Sequence, residues 1–155
     1  MEKNEEKMPY LLFKIKDTTY AVNCKFVEHT SFIDDVTPQP NQSEHIIGVI
    51  QYKENVVPVI SLRSVFNLPA REEDFNNEKV KMDEVQIIIS TEDSMFAIIV
   101  DEVLNTEFLN NSTDNQIFLS DYIDKLYVRD EMENENESNP FAFAINPLTL
   151  SKKIN

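Results

Sequence analysis

The side chains able to do covalent or metal chemistry are few: one cysteine, Cys24, two histidines, His29 and His45, and the adjacent carboxylates Asp34-Asp35 and Asp101-Glu102. A thiolate at Cys24 with His29 as its base would make a cysteine hydrolase. That chemistry needs a nearby base and a cationic setting around the thiol, and sequence alone places neither against Cys24, so a small buried thiol is the plainer reading. The histidines share no i, i+4 spacing and, with one cysteine, form no zinc signature. Neighbouring residues on a strand face opposite sides, so neither acidic pair makes a dyad by itself. The single glycine excludes the phosphate loops, dinucleotide loops and nucleophile elbows that need close backbone approach. The expectation is no catalytic residue, no metal and no cofactor.

The elements that position these side chains are short and β-rich. Leu11 to Lys16 and Tyr20 to Val22 flank the polar Asp17-Thr18-Thr19, and Val85 to Ser90 and Met95 to Val100 flank Glu92-Asp93-Ser94. Both read as hairpins. A shift of 76 residues lays Ala97 on Ala21 and with it Ile87 on Leu11, Asp93 on Asp17, Phe96 on Tyr20 and Val103 on Val27. The same shift lays Leu126-Tyr127-Val128 on Ile50-Gln51-Tyr52. Beyond an acidic insertion at 130–139, Phe141 to Asn146 matches Val56 to Ser61. Each of those strands ends in a residue that caps helices: Ser61 before Leu62 to Phe66, with Asn67 and Pro69 as stop signals, and Asn146 before Pro147.

The chain therefore reads as an internal duplication, all-β with short helices. We expect one domain over 1–155, with a first subdomain over 9–68, a crossing segment at 69–84 and a second subdomain over 85–150 whose helix runs to 154. Halves of this size cannot leave sheet edges open, and closure into small barrels sharing a core is the economical solution. A continuous sandwich competes with it.

Charge and hydropathy narrow the partners. With 28 acidic and 14 basic side chains, the net charge of −14 repels nucleic acid and anionic membrane surfaces. The longest clearly apolar run, Met95 to Val100, falls far short of the roughly 20 residues of a spanning helix. The charged N-terminus has no apolar signal core and Cys24 has no intrachain disulfide partner, so a cytoplasmic location is expected.

The segment Gly48-Val49-Ile50-Gln51-Tyr52-Lys53-Glu54-Asn55-Val56-Val57-Pro58-Val59-Ile60-Ser61-Leu62-Arg63 is similar to the CheW-family signature G-V-I-N-L-R-G-x-V-V-P-V-I-D-L-R. Tyr20-Ala21-Val22, Val100-Asp101-Glu102-Val103 and the closing stretch from Ile145 to Ile154 also sit where that family has its remaining elements. The resemblance implies two five-stranded SH3-like barrels and a chemotaxis adaptor that is not an enzyme. Its implied partners are the regulatory domain of a CheA-type histidine kinase and the cytoplasmic tip of a chemoreceptor (a methyl-accepting chemotaxis protein), with recruitment to receptor arrays at the inner membrane.

Carried over by position, the receptor-binding candidates are Val27, His29, Gly48 and Lys53, the kinase-binding candidates Val100 and Val103, and the structural caps Ser61 and Asn146. Arg63 is read as the anchor of its helix. Phe32-Ile33 is read as strand burial, with an apolar edge facing a partner as the alternative. The chain departs from the family pattern at Gln51-Tyr52-Lys53-Glu54, where the turn glycine is lost and Lys replaces Arg, a change that matters at bidentate contacts. His29 stands where an acidic residue is usual. A scaffold of the same fold serving a non-chemotactic kinase pathway is the nearer alternative, and the Cys24/His29 hydrolase the remoter one.

Overall fold

The computed structural model describes residues 8–32, 36–38, 45–68, 84–109, 112–113 (backbone only), 121–129 and 140–152. Ile33, Asp34-Asp35, Pro69, the crossing segment through 83, the insertion 130–139 and the closing helix beyond Lys152 lie outside the described residues. In chain order come β1 (Met8–Ile15), β2 (Thr18–Asn23), a 3-10 turn (Cys24–Phe26), β3 (Val27–Phe32), β4 (Ile46–Tyr52), β5 (Asn55–Ser61), α1 (Leu62–Val65), β6 (Val85–Ser90), β7 (Met95–Val100), β8 (Glu102–Leu109), β9 (Ser112–Thr113), β10 (Ile123–Val128), β11 (Phe141–Ile145) and α2 (Pro147–Ser151).

Four strands carry near-continuous apolar runs because both of their faces are buried. On β1, Phe13 and Ile15 point into a central cluster, while Tyr10 and Leu12 point the other way. On β6, Ile87 and Ile89 join the same central cluster and Ile88 faces away. Strands β2 and β7 follow suit: Tyr20, Val22, Phe96, Ile98 and Val100 go to the centre, Ala21, Ala97 and Ile99 to the outer clusters. The molecule thus has one core shared between two sheets and a smaller interior within each.

The sheets do not follow the two halves of the sequence. One has the order β8-β1-β2-β11-β10-β9 and the other β3-β6-β7-β5-β4. The first hairpin of each half is given to the other half's sheet. There it is held by parallel pairs, Tyr20 with Phe143 and Ala21 with Ala144 in one sheet, Val59 with Ala97 and Ile60 with Ile98 in the other. The expected subdomains 9–68 and 85–150 therefore do not own one sheet each. The reason is physical: hairpins β1–β2 and β6–β7 are equivalent in the repeat, so their apolar pattern fits either partner.

The repeat itself is kept in the ladders. Phe13 opposes Val103 as Ile89 opposes Val27, and Pro9 opposes Phe108 as Val85 opposes Phe32, each related by the 76-residue shift. At β10 the sequence alignment is off by one. Tyr127, not Leu126, occupies the interior position of Ile50, since Tyr127 pairs with Ala142 as Ile50 pairs with Val57.

Both sheets curl back on themselves. The six-stranded sheet begins with β8 and ends with β9, yet Leu109 and Ser112 are only three residues apart and so within about 11 Å. In the five-stranded sheet the end strands meet: the His29 ring of β3 lies 5.5 Å from the Tyr52 ring of β4. Thr37, downstream of β3, also exchanges both backbone hydrogen bonds with Val49 at 2.9 Å. Arg129 and Glu107 tie β8 to the end of β10 with paired hydrogen bonds of 3.1 and 2.6 Å, and the Arg129 side chain is only 4% exposed.

The closure beside Thr37 explains the one glycine. A Cβ on Gly48 would stand 2.3 Å from the Thr37 carbonyl oxygen and 2.8 Å from its carbon, both backbone atoms that cannot swing aside. Gly48→Ala is expected to lower stability by about 3 kcal/mol, the upper end of overpacking penalties, read as a shift in the urea midpoint at unchanged slope. A shift near zero would mean the crossing strand is not packed there.

Candidate functional site

The residues available for reaction chemistry are dispersed. The His45 Nδ1 lies 2.7 Å from the Ser64 Oγ of α1, and its backbone oxygen accepts from Ser61 N at 2.9 Å. The His29 ring lies 5.5 Å from Tyr52 in a tilted arrangement, and the Cys24 side-chain hydrogen bond is to Thr106. Burial pushes the Cys24 thiol up from its ordinary value, and the Thr106 bond offsets this in part. A raised thiol is the reverse of what a nucleophile needs. Among the described residues no group of three His, Cys, Asp or Glu side chains could hold a metal ion. No helix there is long and apolar enough to cross a membrane.

Two surfaces stand out instead. The first is an aromatic and cationic cluster at the meeting of β3 and β4. Tyr52 is its platform, with the exposed His29 ring 5.5 Å away and the Lys53 ammonium 5.4 Å from the ring centroid. Lys53 is placed by the two-residue turn between Tyr52 and Asn55, where it takes the left-handed conformation at φ 56°. The positive dihedral thus falls on Lys53 and not on Glu54, so loss of the glycine at position 54 leaves the turn intact. Sequence reasoning brought out His29 and Lys53 singly and missed Tyr52, which joins them only once the sheet has curled.

The second surface is a groove of about 420 Å³ between the end of β3 and the start of β8, lined by Phe32, Val85 and Val103 with Asp101 and Glu102 at its rim. Phe32 is 70% exposed, so the reading of Phe32 as buried strand is corrected: β3 is an edge with a ladder partner on one side, and the ring projects beyond Val85. Phe108, its mate in the repeat, is likewise exposed, as are Val56 and its mate Phe141.

The remaining candidates are structural in character. Val100 is 1% exposed inside the central cluster and presents no side chain to a partner, which corrects its reading as a kinase contact. Gly48 is buried beneath Thr37. Val27 and Val103 are half-buried against the central core, Val103 also lining the groove. Ser61 Oγ accepts from Ser64 N at 3.3 Å, and Asn146 Oδ1 accepts from Leu148 N and Thr149 N at 3.0 and 3.3 Å. Asn67, at φ 60°, ends α1 with the Leu68 N and Asn67 N bonds to Arg63 O and Ser64 O that mark a left-handed cap.

Arg63 does more than anchor α1. Its Nη2 donates to Asp101 Oδ2 at 2.6 Å, and the same oxygen accepts from Lys16 N at 2.7 Å, while Asp101 N donates to Lys14 O at 3.0 Å. One carboxylate thereby fastens the β1–β2 turn of one sheet to the helix and β7 end of the other.

A CheW-like domain family model matches residues 9–139. A chemotaxis protein CheW of Thermotoga maritima is 27% identical over 115 residues, covering 74% of this chain and 69% of that protein. A chemotaxis protein CheW of Treponema pallidum is 24% identical over 103 residues, covering 66% of this chain and 59% of that protein. The chain thus spans less than two-thirds of the latter relative's length. Among solved structures, the scaffolding protein TtCheW from Thermoanaerobacter tengcongensis superposes with a TM-score of 0.70 at 16% identity, covering 90% of this chain and 89% of that one. That likeness speaks to the fold.

Two measurements check the site. Iodoacetamide should alkylate Cys24 more slowly at pH 7 than it does a free cysteine, with a pH–rate profile displaced upward, because the raised thiol leaves less thiolate; faster alkylation would reopen the hydrolase reading. For Arg63 and Asp101, a double-mutant cycle with Arg63→Met and Asp101→Asn should give a coupling of about 1–2 kcal/mol, as for a charged, half-buried hydrogen bond; additive effects would show that the pair does not join the sheets.

Proposed function

Since the chain belongs to the CheW-like domain family, we propose that it is a cytoplasmic adaptor without catalytic activity, coupling a chemoreceptor to a CheA-type histidine kinase in chemotaxis signalling. The observation that carries this reading is the family match over residues 9–139, which takes in strands of both curled sheets. The names of the relatives, a chemotaxis protein and a scaffolding protein, point the same way.

The receptor tip docks on the His29–Tyr52–Lys53 cluster, with Val27 behind it, and the regulatory domain of the kinase docks on the groove at Val103 and Phe32. This division suits the physical chemistry of the two surfaces. Apolar side chains in the groove supply affinity, and the charged groups around Tyr52 and at Asp101 and Glu102 select the partner. Recruitment to arrays at the inner membrane follows from binding the receptor, with no insertion of this chain.

Calorimetric titration of the full chain against the kinase regulatory domain and, separately, a receptor-tip fragment tests the proposal. Lys53→Glu should weaken the receptor fragment alone by about tenfold or more. Phe32→Glu, chosen because Phe32 projects into solvent and its loss leaves the core intact, should weaken the kinase domain alone. Binding to the kinase domain only would favour a scaffold for a non-chemotactic pathway, and binding to neither would sink the adaptor reading.

A further inference from the structure

The repeat predicts a second copy of the Arg63–Asp101 junction, and the chain does not contain it. Shifted to the other half, Asp101 falls on Lys25, and Arg63 falls on Leu148 two residues past the cap Asn146, as Arg63 lies two past Ser61. Where the first junction is filled by an ion pair, the second has a lysine and a leucine at the two equivalent positions. A cavity of about 260 Å³ lies there, between the 3-10 turn, β10 and the start of α2. Its apolar wall is Phe26, Ile145 and Leu148, and its charged rim is Lys25, Lys125 and Asp124.

The electrostatics leave one cation in surplus. Asp124 is adjacent to Lys125, and its Oδ1 accepts from Asn146 Nδ2 at 2.9 Å. Desolvation pushes the Asp124 carboxyl up while Lys125 and the Asn146 bond pull it back. That carboxylate is therefore already engaged. The Lys25 ammonium lies 5.1 Å from the centroid of the Phe26 ring and makes no ion pair among the described residues. In a chain of net charge −14, a cavity rimmed by two lysines and one carboxylate is out of character with the rest of the sequence.

We infer that this cavity binds a carboxylate carried on a compact apolar body, the charge on Lys25 and the apolar part against Phe26 and Leu148. The ligand supplies what Asp101 supplies in the equivalent junction. A free small acid and an acidic side chain flanked by apolar residues in a partner peptide carry this same chemistry. The cavity shares no lining residue with the groove at Val103 and Phe32 or with the Tyr52 cluster.

The test is an amide-proton NMR titration of the full chain with benzoate, with benzamide as its neutral isostere, and with the blocked tripeptide acetyl-Leu-Glu-Leu-amide against its glutamine counterpart. At least one acid should bind about tenfold more tightly than its amide, with saturating shifts at Lys25, Phe26 and Leu148. Lys25→Gln should abolish that preference. Rebuilding the missing pair as Lys25→Asp with Leu148→Arg should also abolish it, at an unfolding midpoint no lower than the parent's. Benzoate binding assigns the site to a free acid and binding of the tripeptide alone to a protein partner. Failure of both acids, equal binding of acid and amide, or an undiminished preference in Lys25→Gln overturns the inference.

Discussion

Everything in this molecule depends on two short parallel ladders, β2 with β11 and β5 with β7, that join the first half of the chain to the second in each sheet. They are reciprocal. Each half gives its first hairpin and receives the other's, so separating the two halves of the sequence would break hydrogen-bonded ladders as well as the apolar core. The alanines at these ladders, Ala21 and Ala144 in one sheet and Ala97 in the other, let the strands crowd a narrow interior, leaving the large side chains for the shared centre. The backbone ladders thus tie the sequence halves together within each sheet, while the shared apolar centre and the Asp101 carboxylate hold one sheet against the other.

Much of this was legible in the sequence because duplication leaves a periodic trace. The 76-residue shift marks equivalent residues of the two halves, and the ladders Phe13–Val103 and Ile89–Val27 are related by it. Cap chemistry at Ser61 and Asn146 was readable for the same local reason: side-chain oxygens reach backbone amides two or three residues ahead. What the pattern could not decide was ownership of the hairpins, since equivalent segments satisfy either sheet. It also could not see the one-residue slip at Tyr127, which requires knowing where β10 bulges, nor the burial of Val100, whose apolar run reads alike at a core and at a groove. Tyr52 escaped notice because His29 meets it only through the curl of the sheet.

The two halves differ most where they carry charge. Arg129 and Glu107 make a nearly buried pair in one sheet, and in the other the counterpart of Glu107 is Ser31, which accepts from the Gln86 side chain at 3.1 Å. Arg63 and Asp101 close one junction, and Lys25 and Leu148 leave the other open. The apolar framework is common to both halves, so divergence in polar side chains gives the two sheets different surfaces without a different fold.

The exchange of hairpins also governs how the chain is made. Tyr10 hydrogen-bonds Tyr127 at 2.9 Å across 117 residues of sequence, and β2 cannot find β11 until Phe141–Ile145 has been made. The N-terminal hairpin therefore leaves the ribosome with two apolar faces and no permanent partner, a condition that invites premature pairing with other strands. High sequence separation of contacts slows folding, because loop closure is met before any stabilising contact forms. The exchange that joins the two halves thus leaves the β1–β2 hairpin without its parallel neighbour until β11 (Phe141–Ile145) has been made.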